Sequence, residues 1–218
     1  MESHQREASW TVRRLHSCTD PDFDSLGRIY AESFPEGERK SLAKLSRMLE
    51  SPAYQFLTVS QNGSVIGYSI AACLQNCDAC LLEYMSVDSQ HRGEGIGQFL
   101  FQQTAKSSHV ADRLLLIEAE SDKTESPDKA IRTRRKSFYR RLGCREIPFL
   151  NYLMPKVSTG VLPPMDWMVY HPCLPHSIEK DRLRHWLKTC YEQVYSQDVN
   201  DPRIAFMLEG LPDDLPLL

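Results

Sequence analysis

Three glycines alternate with other residues at the point where an apolar stretch gives way to an amphipathic one. Residues 81–98 read as a strand, a polar turn, the glycines Gly93, Gly95 and Gly97, and the first turn of a helix. Glycine reaches positive φ without strain and lets the backbone approach a ligand closely. Free amides at the N-terminus of a helix bind anions. This spacing therefore predicts a phosphate or pyrophosphate held at a helix that begins near Gly95.

Two common nucleotide-binding motifs do not fit this loop. A P-loop requires a lysine after its last glycine, and Gln98 stands there instead. The dinucleotide fingerprint is G-x-G-x-x-G, whereas this loop reads G-x-G-x-G and follows strands that look antiparallel. On spacing alone, a glycine-rich turn with no ligand remains the alternative.

The loop resembles motif A of the GNAT superfamily of acyl-CoA-dependent N-acyltransferases, written R/Q-x-x-G-x-G/A. The matching residues are Arg92, Gly93, Glu94, Gly95, Ile96 and Gly97. An overlapping frame that begins at Gln90 also fits, and the Arg92 frame is preferred because the predicted helix begins directly after it. The resemblance implies that the amides of this loop bind the pyrophosphate of coenzyme A. It also implies that Met85, Ser86 and Val87 hydrogen-bond the pantetheine arm and polarise the thioester carbonyl.

A second stretch, at residues 137–144, is similar to motif B of the same family. It reads S-F-Y-R-R-L-G-C, where the family has an aromatic residue, tyrosine, a few variable residues and Leu-Gly-Phe. Cys144 replaces the commoner phenylalanine at a position that packs rather than reacts. The resemblance implies that Tyr139 is the general acid for the leaving thiolate. A packed core tyrosine is the alternative role for this residue.

Glu118 is the provisional general base, and several other groups remain as alternatives. Glu118 lies in a mostly apolar predicted strand, where some family members carry a catalytic glutamate. Burial in such a strand raises the pKa of a carboxylate, which suits a base near neutrality. Glu83, Glu120 and a relaying water remain alternatives, and these acids could instead only bind a cationic substrate.

The elements that must position these residues indicate a mixed α/β chain. Strands are predicted at residues 10–16, 54–60, 65–74, 81–87, 114–119, 149–154 and 165–170, and helices at 22–34, 42–50, 95–107 and 130–142. Asn62-Gly63 predicts a hairpin, and Gly143 predicts the end of the last of these helices. The fold class expected is α+β: the GNAT fold, with a central, mostly antiparallel mixed sheet flanked by helices.

The pattern changes after Pro172. Ser177 is predicted to cap a helix with Glu179 in its first turn. One apolar face follows at helical spacing, formed by Leu183, Trp186, Leu187, Cys190, Tyr191 and Val194. A short helix is predicted at residues 204–208, followed by an irregular tail. The expected domains are a flexible N-terminus at 1–9, an acetyltransferase domain at 10–172, and a C-terminal helical extension at 173–218 packed on the core.

Composition excludes several classes of protein. The 218 residues are 41% hydrophobic and 25% charged, with a formal net charge of −3, so the chain lacks the overall basic charge of nucleic-acid binders. Eight basic residues and no acid occur within 129–145, which predicts a solvated helix face with one or two arginines near the 3′-phosphate of coenzyme A. No apolar segment approaches the roughly twenty residues of a membrane span. The polar first residues lack a signal peptide, which predicts a cytoplasmic protein.

Cys73, Cys77 and Cys80 form a C-x3-C-x2-C pattern that resembles the iron–sulfur motif of radical S-adenosylmethionine enzymes. Ala79 stands where that motif usually has an aromatic residue, and the three cysteines span a predicted hairpin. Small buried residues or a labile cross-strand disulfide are therefore favoured over a cluster. No metal is expected, and the seven cysteines of the chain are expected to be mostly reduced.

Taken together, the two motifs imply an N-acetyltransferase in which a primary amine attacks acetyl-CoA directly in a ternary complex. Acetyl-CoA or coenzyme A is then the co-substrate. The acceptor pocket is expected from the early helices, the loop 34–39 and the strand 165–170, with Glu36, Glu38, Glu118, Glu120 and Asp122 attracting a cationic amine. The alternative is a non-catalytic sensor that binds acyl-CoA on the same fold. The expected partner is a small-molecule or peptide amine, with neither nucleic acid nor membrane, and a homodimer remains open.

Overall fold

The computed structural model describes residues 10–36, 39–156 and 163–218. The strands are β1 (Thr11–Leu15), β2 (Tyr54–Gln61), β3 (Ser64–Cys73), β4 (Ala79–Val87), β5 (Leu114–Glu120), β6 (Arg145–Glu146), β7 (Met165–Tyr170), β8 (Ser177–Glu179) and β9 (Asp214–Pro216). The helices are α1 (Pro21–Ser33), α2 (Leu42–Glu50), α3 (Ile96–Lys106), α4 (Lys129–Arg141), α5 (Lys180–Gln193) and α6 (Pro202–Leu208). The predicted flexible N-terminus and most of the loop before β7 lie outside the described residues.

Seven strands form the main sheet, in the order β1-β2-β3-β4-β5-β7-β6. Neighbouring strands run antiparallel except β4 and β5, which are parallel and are joined by the crossover helix α3. A parallel pair requires such a crossover, whereas antiparallel neighbours can be joined by a tight turn. The predicted mostly antiparallel mixed sheet flanked by helices is confirmed.

Glycine conformations set two of the turns. Asn62 and Gly63, between β2 and β3, both have positive φ, at 52° and 81°. This is the requirement of a two-residue type I′ hairpin, as the sequence predicts. Gly143 follows α4 with a φ of 91°, the left-handed conformation that ends many helices.

Helices cover both faces of the sheet. On one face, α1 and α2 pack against β2 and β3, with Leu26, Ile29 and Leu45 fully buried. On the other face, α3 and α4 pack against β4 and β5. The C-terminal extension covers β5 and β7, where Trp186 of α5 shares one core cluster with Trp167. The apolar face that the sequence predicts for this helix is buried throughout.

The predicted strand at residues 149–154 is wrong. Tyr152 forms only an isolated bridge to Met165, and Phe149 is 75% exposed with a φ of 63°. The pairing with β7 is made earlier, at Arg145–Glu146. Pro148 lacks the amide donor that a continuing ladder would need, so the strand ends before it.

The predicted start of the C-terminal helix and the predicted irregular tail are also wrong. Residues Ser177–Glu179 form β8, which pairs with β9 in the tail, and Ile178 is buried opposite Leu215. Helix α5 begins only at Lys180. The capping pattern at Ser177 is a local signal, and the pairing with a strand far along the chain overrides it.

Within the part of the chain that the structure describes, no helix has both the length and the apolar character needed to cross a membrane.

Candidate functional site

The two parallel strands separate near the middle of the sheet. Their pairing runs from Ala79 opposite Leu114 to Leu82 opposite Ile117 and stops there. Beyond this point β4 remains paired with β3 as far as Val87, while β5 pairs with β7. The edge of β4 that faces β5 therefore has no strand partner along Met85–Val87, where the carbonyl of Val87 accepts from the side chain of Arg92. Unpaired strand edges can hydrogen-bond an extended ligand.

A bulge in β4 lies at the start of this opening. Ile70 is opposite Tyr84 and Ala71 is opposite Leu82, so Glu83 has no partner on β3. A bulge of this kind bends the strand and redirects a side chain, and bulges are frequent beside active sites. Here it places the Glu83 side chain at the beginning of the gap between β4 and β5.

The glycine loop follows the open end of β4. Gly93 and Gly95 have φ values of 90° and 91°, and Gly95 is the N-cap of α3 without a side-chain cap. Phe99 donates to the carbonyl of Gly95, so the amides from Ile96 to Gln98 precede the first bond of the helix. These amides are the donors that the sequence predicts for a pyrophosphate.

Gly97 lies where α3 approaches both β4 and α4. A Cβ atom at this position would lie 3.5 Å from Cζ of Phe138 and 3.8 Å from Cγ2 of Val87. Arg92 closes the loop from the other side, because its Nε donates to the carbonyl of Val87 at 3.2 Å. Residues Arg92 to Gly97 thus form one compact turn at the end of β4, a geometry that fits a phosphate or pyrophosphate group.

Tyr139 lies on the face of the sheet that α3 and α4 cover. Its ring packs 6.0 Å from that of Phe101 and 5.2 Å from that of Phe138, between ring centroids. Burial raises the pKa of Tyr139 to about 12, so the phenol is protonated at neutral pH. Its hydroxyl has no hydrogen-bond partner within the described residues, so it is free to donate.

Glu118 points to the opposite face of the sheet, toward the C-terminal extension. The hydroxyls of Tyr152 and Tyr195 donate to its two carboxylate oxygens, each at 2.5 Å. Burial raises the pKa of Glu118, and the two hydroxyls oppose part of this rise because they favour the ionised form. Both of its oxygens are therefore already acceptors within the protein.

Glu83 is the second buried carboxylate at the opening. Its side chain is 5% exposed and forms a salt bridge with Lys40, whose Nζ also donates to the carbonyl of Val194 at 3.3 Å. Oε2 of Glu83 is buried and has no partner within the described residues. Burial raises the pKa of Glu83, and the positive charge of Lys40 opposes the rise.

The third acid, Glu120, turns to α4. Its carboxylate accepts from Nε of Arg132 at 2.8 Å and from Nη1 of Arg135 at 2.5 Å. Alternation along β5 places Glu118 and Glu120 on one face, but their partners differ. Glu120 is neutralised by two arginines, whereas Glu118 is bonded by two uncharged hydroxyls.

All three acids line one cavity of about 80 Å³ at the point where β4 and β5 separate. The rest of its described lining is Phe34, Tyr84, Arg135, Met154, Pro163, Met165 and Tyr195. Glu36, expected near this pocket, is exposed and is absent from the lining, and Glu38 lies outside the described residues.

Lys40, Tyr152 and Tyr195 are the residues of this site that the sequence reading missed. No motif contains them, and Tyr195 only continues the apolar stretch at the end of α5, which is typical of a core residue. Lys40 is 43 positions from Glu83 in the chain. Tyr152 and Tyr195 are 34 and 77 positions from Glu118.

The basic stretch along α4 is only in part the solvated face that the sequence predicts, because Arg134, Arg135, Arg140 and Arg141 are exposed but Lys136 is not. Lys136 is 1% exposed and bonds Asp122, Glu146 and Asp166. Four further basic residues pair with acids, as Lys129 with Glu125, Arg132 and Arg135 with Glu120, and Arg140 with Glu146. The acids come from elsewhere in the chain, so the local excess of positive charge is largely compensated in the fold.

The cysteine triplet does not converge on one point. Cys73 is opposite Cys80 on β3 and β4, and both thiols donate to the carbonyl of His109, at 3.4 and 3.5 Å. Cys77 instead packs against the cluster under α5. Across residues 10–36, 39–156 and 163–218, no group of three or more His, Cys, Asp and Glu side chains could hold a metal ion.

Comparison with known proteins agrees with this geometry. Residues 52–146 match the protein-family model described as the acetyltransferase (GNAT) domain. No curated protein matches the sequence. Among solved structures, a GNAT-family protein from Bacteroides thetaiotaomicron, assigned as an acetyltransferase, superposes with a TM-score of 0.69. It is 19% identical, and the match covers 85% of this chain and 98% of that one.

Two further solved structures are similar over most of their own length. An aminoglycoside 6′-N-acetyltransferase complexed with coenzyme A is 17% identical, with a TM-score of 0.57 over 73% of this chain and 96% of that one. The ribosomal-protein-S18-alanine N-acetyltransferase of Escherichia coli is 20% identical, with a TM-score of 0.53 over 77% and 99%. At these identities the likeness shows a shared fold.

Proposed function

We propose that this chain, which carries a GNAT acetyltransferase domain on the fold of that family, is an N-acetyltransferase that moves an acetyl group from acetyl-CoA to a primary amine. The observation that carries the proposal is the joint geometry of β4 and its glycine loop. An open strand edge at Met85–Val87 runs directly into the free amides at the start of α3. This arrangement can bind an extended arm at one end and a pyrophosphate at the other.

The coenzyme would lie along this path. Met85, Ser86 and Val87 offer backbone groups to the pantetheine arm, and the amides of Gly93 to Gly97 offer donors to the pyrophosphate. Backbone amides at a helix N-terminus bind an anion without any formal charge. The overall charge of −3 is therefore no obstacle to an anionic coenzyme. The neighbouring solved structure that holds coenzyme A lends support to this assignment.

The reaction requires proton movements at two atoms. The amine nitrogen bonds to the thioester carbonyl carbon, the carbon–sulfur bond breaks, and the nitrogen loses a proton while the sulfur gains one. Tyr139, protonated at neutral pH, supplies the proton for the sulfur. Because no other described group bonds its hydroxyl, that proton is available to the thiolate.

The proton from the amine goes to a carboxylate at the opening of the strands. Glu83 lines the cavity, and its Oε2 has no hydrogen-bond partner among the described residues, so it can accept a proton from an amine that reaches it. Glu118 has both oxygens bonded by tyrosine hydroxyls, so as a base it would act through Tyr195 or Tyr152. The contacts therefore favour Glu83 for direct contact with the amine, with Glu118 retained as the second candidate.

Calorimetry with coenzyme A and acetyl-CoA tests the binding half of this proposal, and a mass-spectrometric screen of acetylated amines tests the transfer half. Detection by mass avoids thiol reagents, which would react with the exposed Cys173. We expect saturable binding of both forms and a new acetamide from at least one amine. Absence of coenzyme binding would refute the proposal. Binding without turnover across a broad amine panel would instead favour an acyl-CoA sensor.

A further inference from the structure

We propose that the cavity beside Glu83 takes a compact amine with a single nitrogen and an uncharged, apolar body, and that Tyr195 of the C-terminal extension sets the length of that body. This inference rests on the proposed acetyltransferase function and names its class of acceptor. It follows from four features of the cavity: an unpartnered oxygen, a small apolar interior, a balance of charges, and a wall built by the extension.

The unpartnered oxygen defines where the nitrogen binds. Oε2 of Glu83 is buried and has no hydrogen-bond partner among the described residues, and Glu83 is one of the residues that line the cavity. A buried carboxylate oxygen without a donor costs free energy, and a ligand N–H removes that cost. The other oxygen of the same carboxylate is held by Lys40, so the side chain cannot turn away to satisfy both.

The interior of the cavity is small and apolar. Its volume is about 80 Å³, and since one water needs about 10–15 Å³ of such volume, it has room for on the order of six waters or a short-chain amine. Six of its ten described lining residues are apolar or aromatic, namely Phe34, Tyr84, Met154, Pro163, Met165 and Tyr195. Such walls favour a hydrocarbon body and penalise a buried second charge.

The charges of the cavity are already matched within the protein. Glu83 pairs with Lys40, and Glu120 pairs with Arg132 and Arg135. Glu118 has no cation of its own and is bonded by two hydroxyls, but the three carboxylates together face three cations. The cavity therefore offers no net negative charge to a second ammonium on the substrate, which would also lie near Arg135. A polyamine is therefore a poor fit.

The extension forms one wall of the cavity. Tyr195 follows α5, lines the cavity and donates to Glu118, while the preceding carbonyl of Val194 accepts from Lys40. Both contacts tie the extension to the two buried carboxylates. The ring of Tyr195 occupies space that a longer amine would need, so it acts as a specificity-determining residue.

Three amines of equal chain length test the charge requirement: pentylamine, 1,5-diaminopentane and 5-aminopentanoate. Their far ends are neutral, positive and negative. We expect kcat/KM for acetylation of pentylamine to exceed that of both others by about tenfold or more. Calorimetry on the enzyme saturated with coenzyme A should show the same order of affinity. A preference for the diamine or for the amino acid would overturn the inference.

A series from propylamine to octylamine tests the role of Tyr195. Tyr195→Ala should move the best substrate to a longer chain, while Tyr195→Phe, which keeps the ring and loses only the hydroxyl, should leave the preferred length unchanged. Phe206→Ala, at an exposed position of α6, is the control variant. An unchanged preference in the alanine variant would remove the assignment to Tyr195, provided that circular dichroism shows the variant folded.

These results separate the inference from the function on which it rests. Coenzyme A binding measured alone tests the proposed function. If coenzyme binds and other amines are acetylated while the alkylamines are not, the acetyltransferase proposal stands and the assigned acceptor class is wrong.

Discussion

Glu83 and Glu118 occupy equivalent positions on two parallel strands: each directly follows the last residue of the β4–β5 pairing, Leu82 or Ile117. Each carboxylate is buried, and burial raises the pKa of both. The negative charge of Glu83 adds to the rise at Glu118, whereas Lys40 opposes the rise at Glu83. Two carboxylates with different partners at one opening are suited to different roles.

Glu83→Gln and Glu118→Gln separate these roles. A base must be ionised to accept a proton, so the wild-type rate should rise with pH through a pKa above the ordinary 4.5 of glutamate. Glu83→Gln should lower kcat by about a hundredfold and remove this rise. Glu118→Gln should keep the rise, since the base is still present. The pH profile of kcat/KM measures both, and the reverse pattern would assign the base to Glu118.

Tyr139→Phe tests the general acid. The variant keeps the packing of the ring against Phe101 and Phe138 and removes only the hydroxyl. We expect kcat to fall by about a hundredfold while the affinity for acetyl-CoA, measured by calorimetry, changes little. An unchanged kcat would leave Tyr139 with a packing role alone.

Gly95→Ala tests the loop that we propose to bind the pyrophosphate. The φ of 91° at Gly95 is strained for alanine by about 1–2 kcal/mol, and relief of this strain would shift the backbone that carries the free amides. We expect the Kd for coenzyme A to rise about tenfold or more. Gly63→Ala is the matched control, because Gly63 also has positive φ, at 81°, but lies in the β2–β3 hairpin. It should lose similar stability and keep coenzyme affinity. Equal losses of affinity in both variants would contradict the assignment.

Lys136→Met tests the buried charge cluster that anchors α4. Burial raises the pKa values of Asp122, Glu146 and Asp166, but ion pairs outweigh it and hold all three below their ordinary values. Lys136 lowers all three pKa values, and Lys123 also lowers those of Glu146, where its effect is the larger, and Asp166. Removing Lys136 leaves buried carboxylates less compensated, so the free energy of unfolding should fall by about 3 kcal/mol at pH 7. Lys129→Met, at an exposed pair with Glu125, is the control and should cost less than about 1 kcal/mol.

The pH dependence of that loss has a definite sign. The depressed carboxyl pKa values contribute stability above the unfolded values of 3.8 and 4.5, and this stability disappears as pH falls through the folded values. The difference between wild type and Lys136→Met, from urea unfolding, should therefore shrink below about pH 4. A difference that stays constant with pH would show that packing, and not charge, is lost.

The local parts of the molecule were readable from the sequence. The type I′ turn at Asn62-Gly63, the left-handed Gly95 and Gly143, and the periodic apolar face of α5 each depend on residues within a few positions of one another. The predictions were wrong where pairing with a strand far along the chain overrode the local pattern. Ser177 entered a strand because β9 lay opposite it, and the ladder with β7 formed before Pro148 and not after it.

By itself, the sequence determined the glycine loop that we propose to hold a coenzyme, because the backbone freedom of Gly93, Gly95 and Gly97 follows from residue type. Only the tertiary structure decided which groups surround the reacting atoms. Lys40 reaches Glu83 from the segment before α2, and Tyr195 reaches Glu118 from the C-terminal extension. A carboxylate's partners, and with them its pKa and its free oxygens, depend on side chains that meet in space, and no local pattern records that meeting.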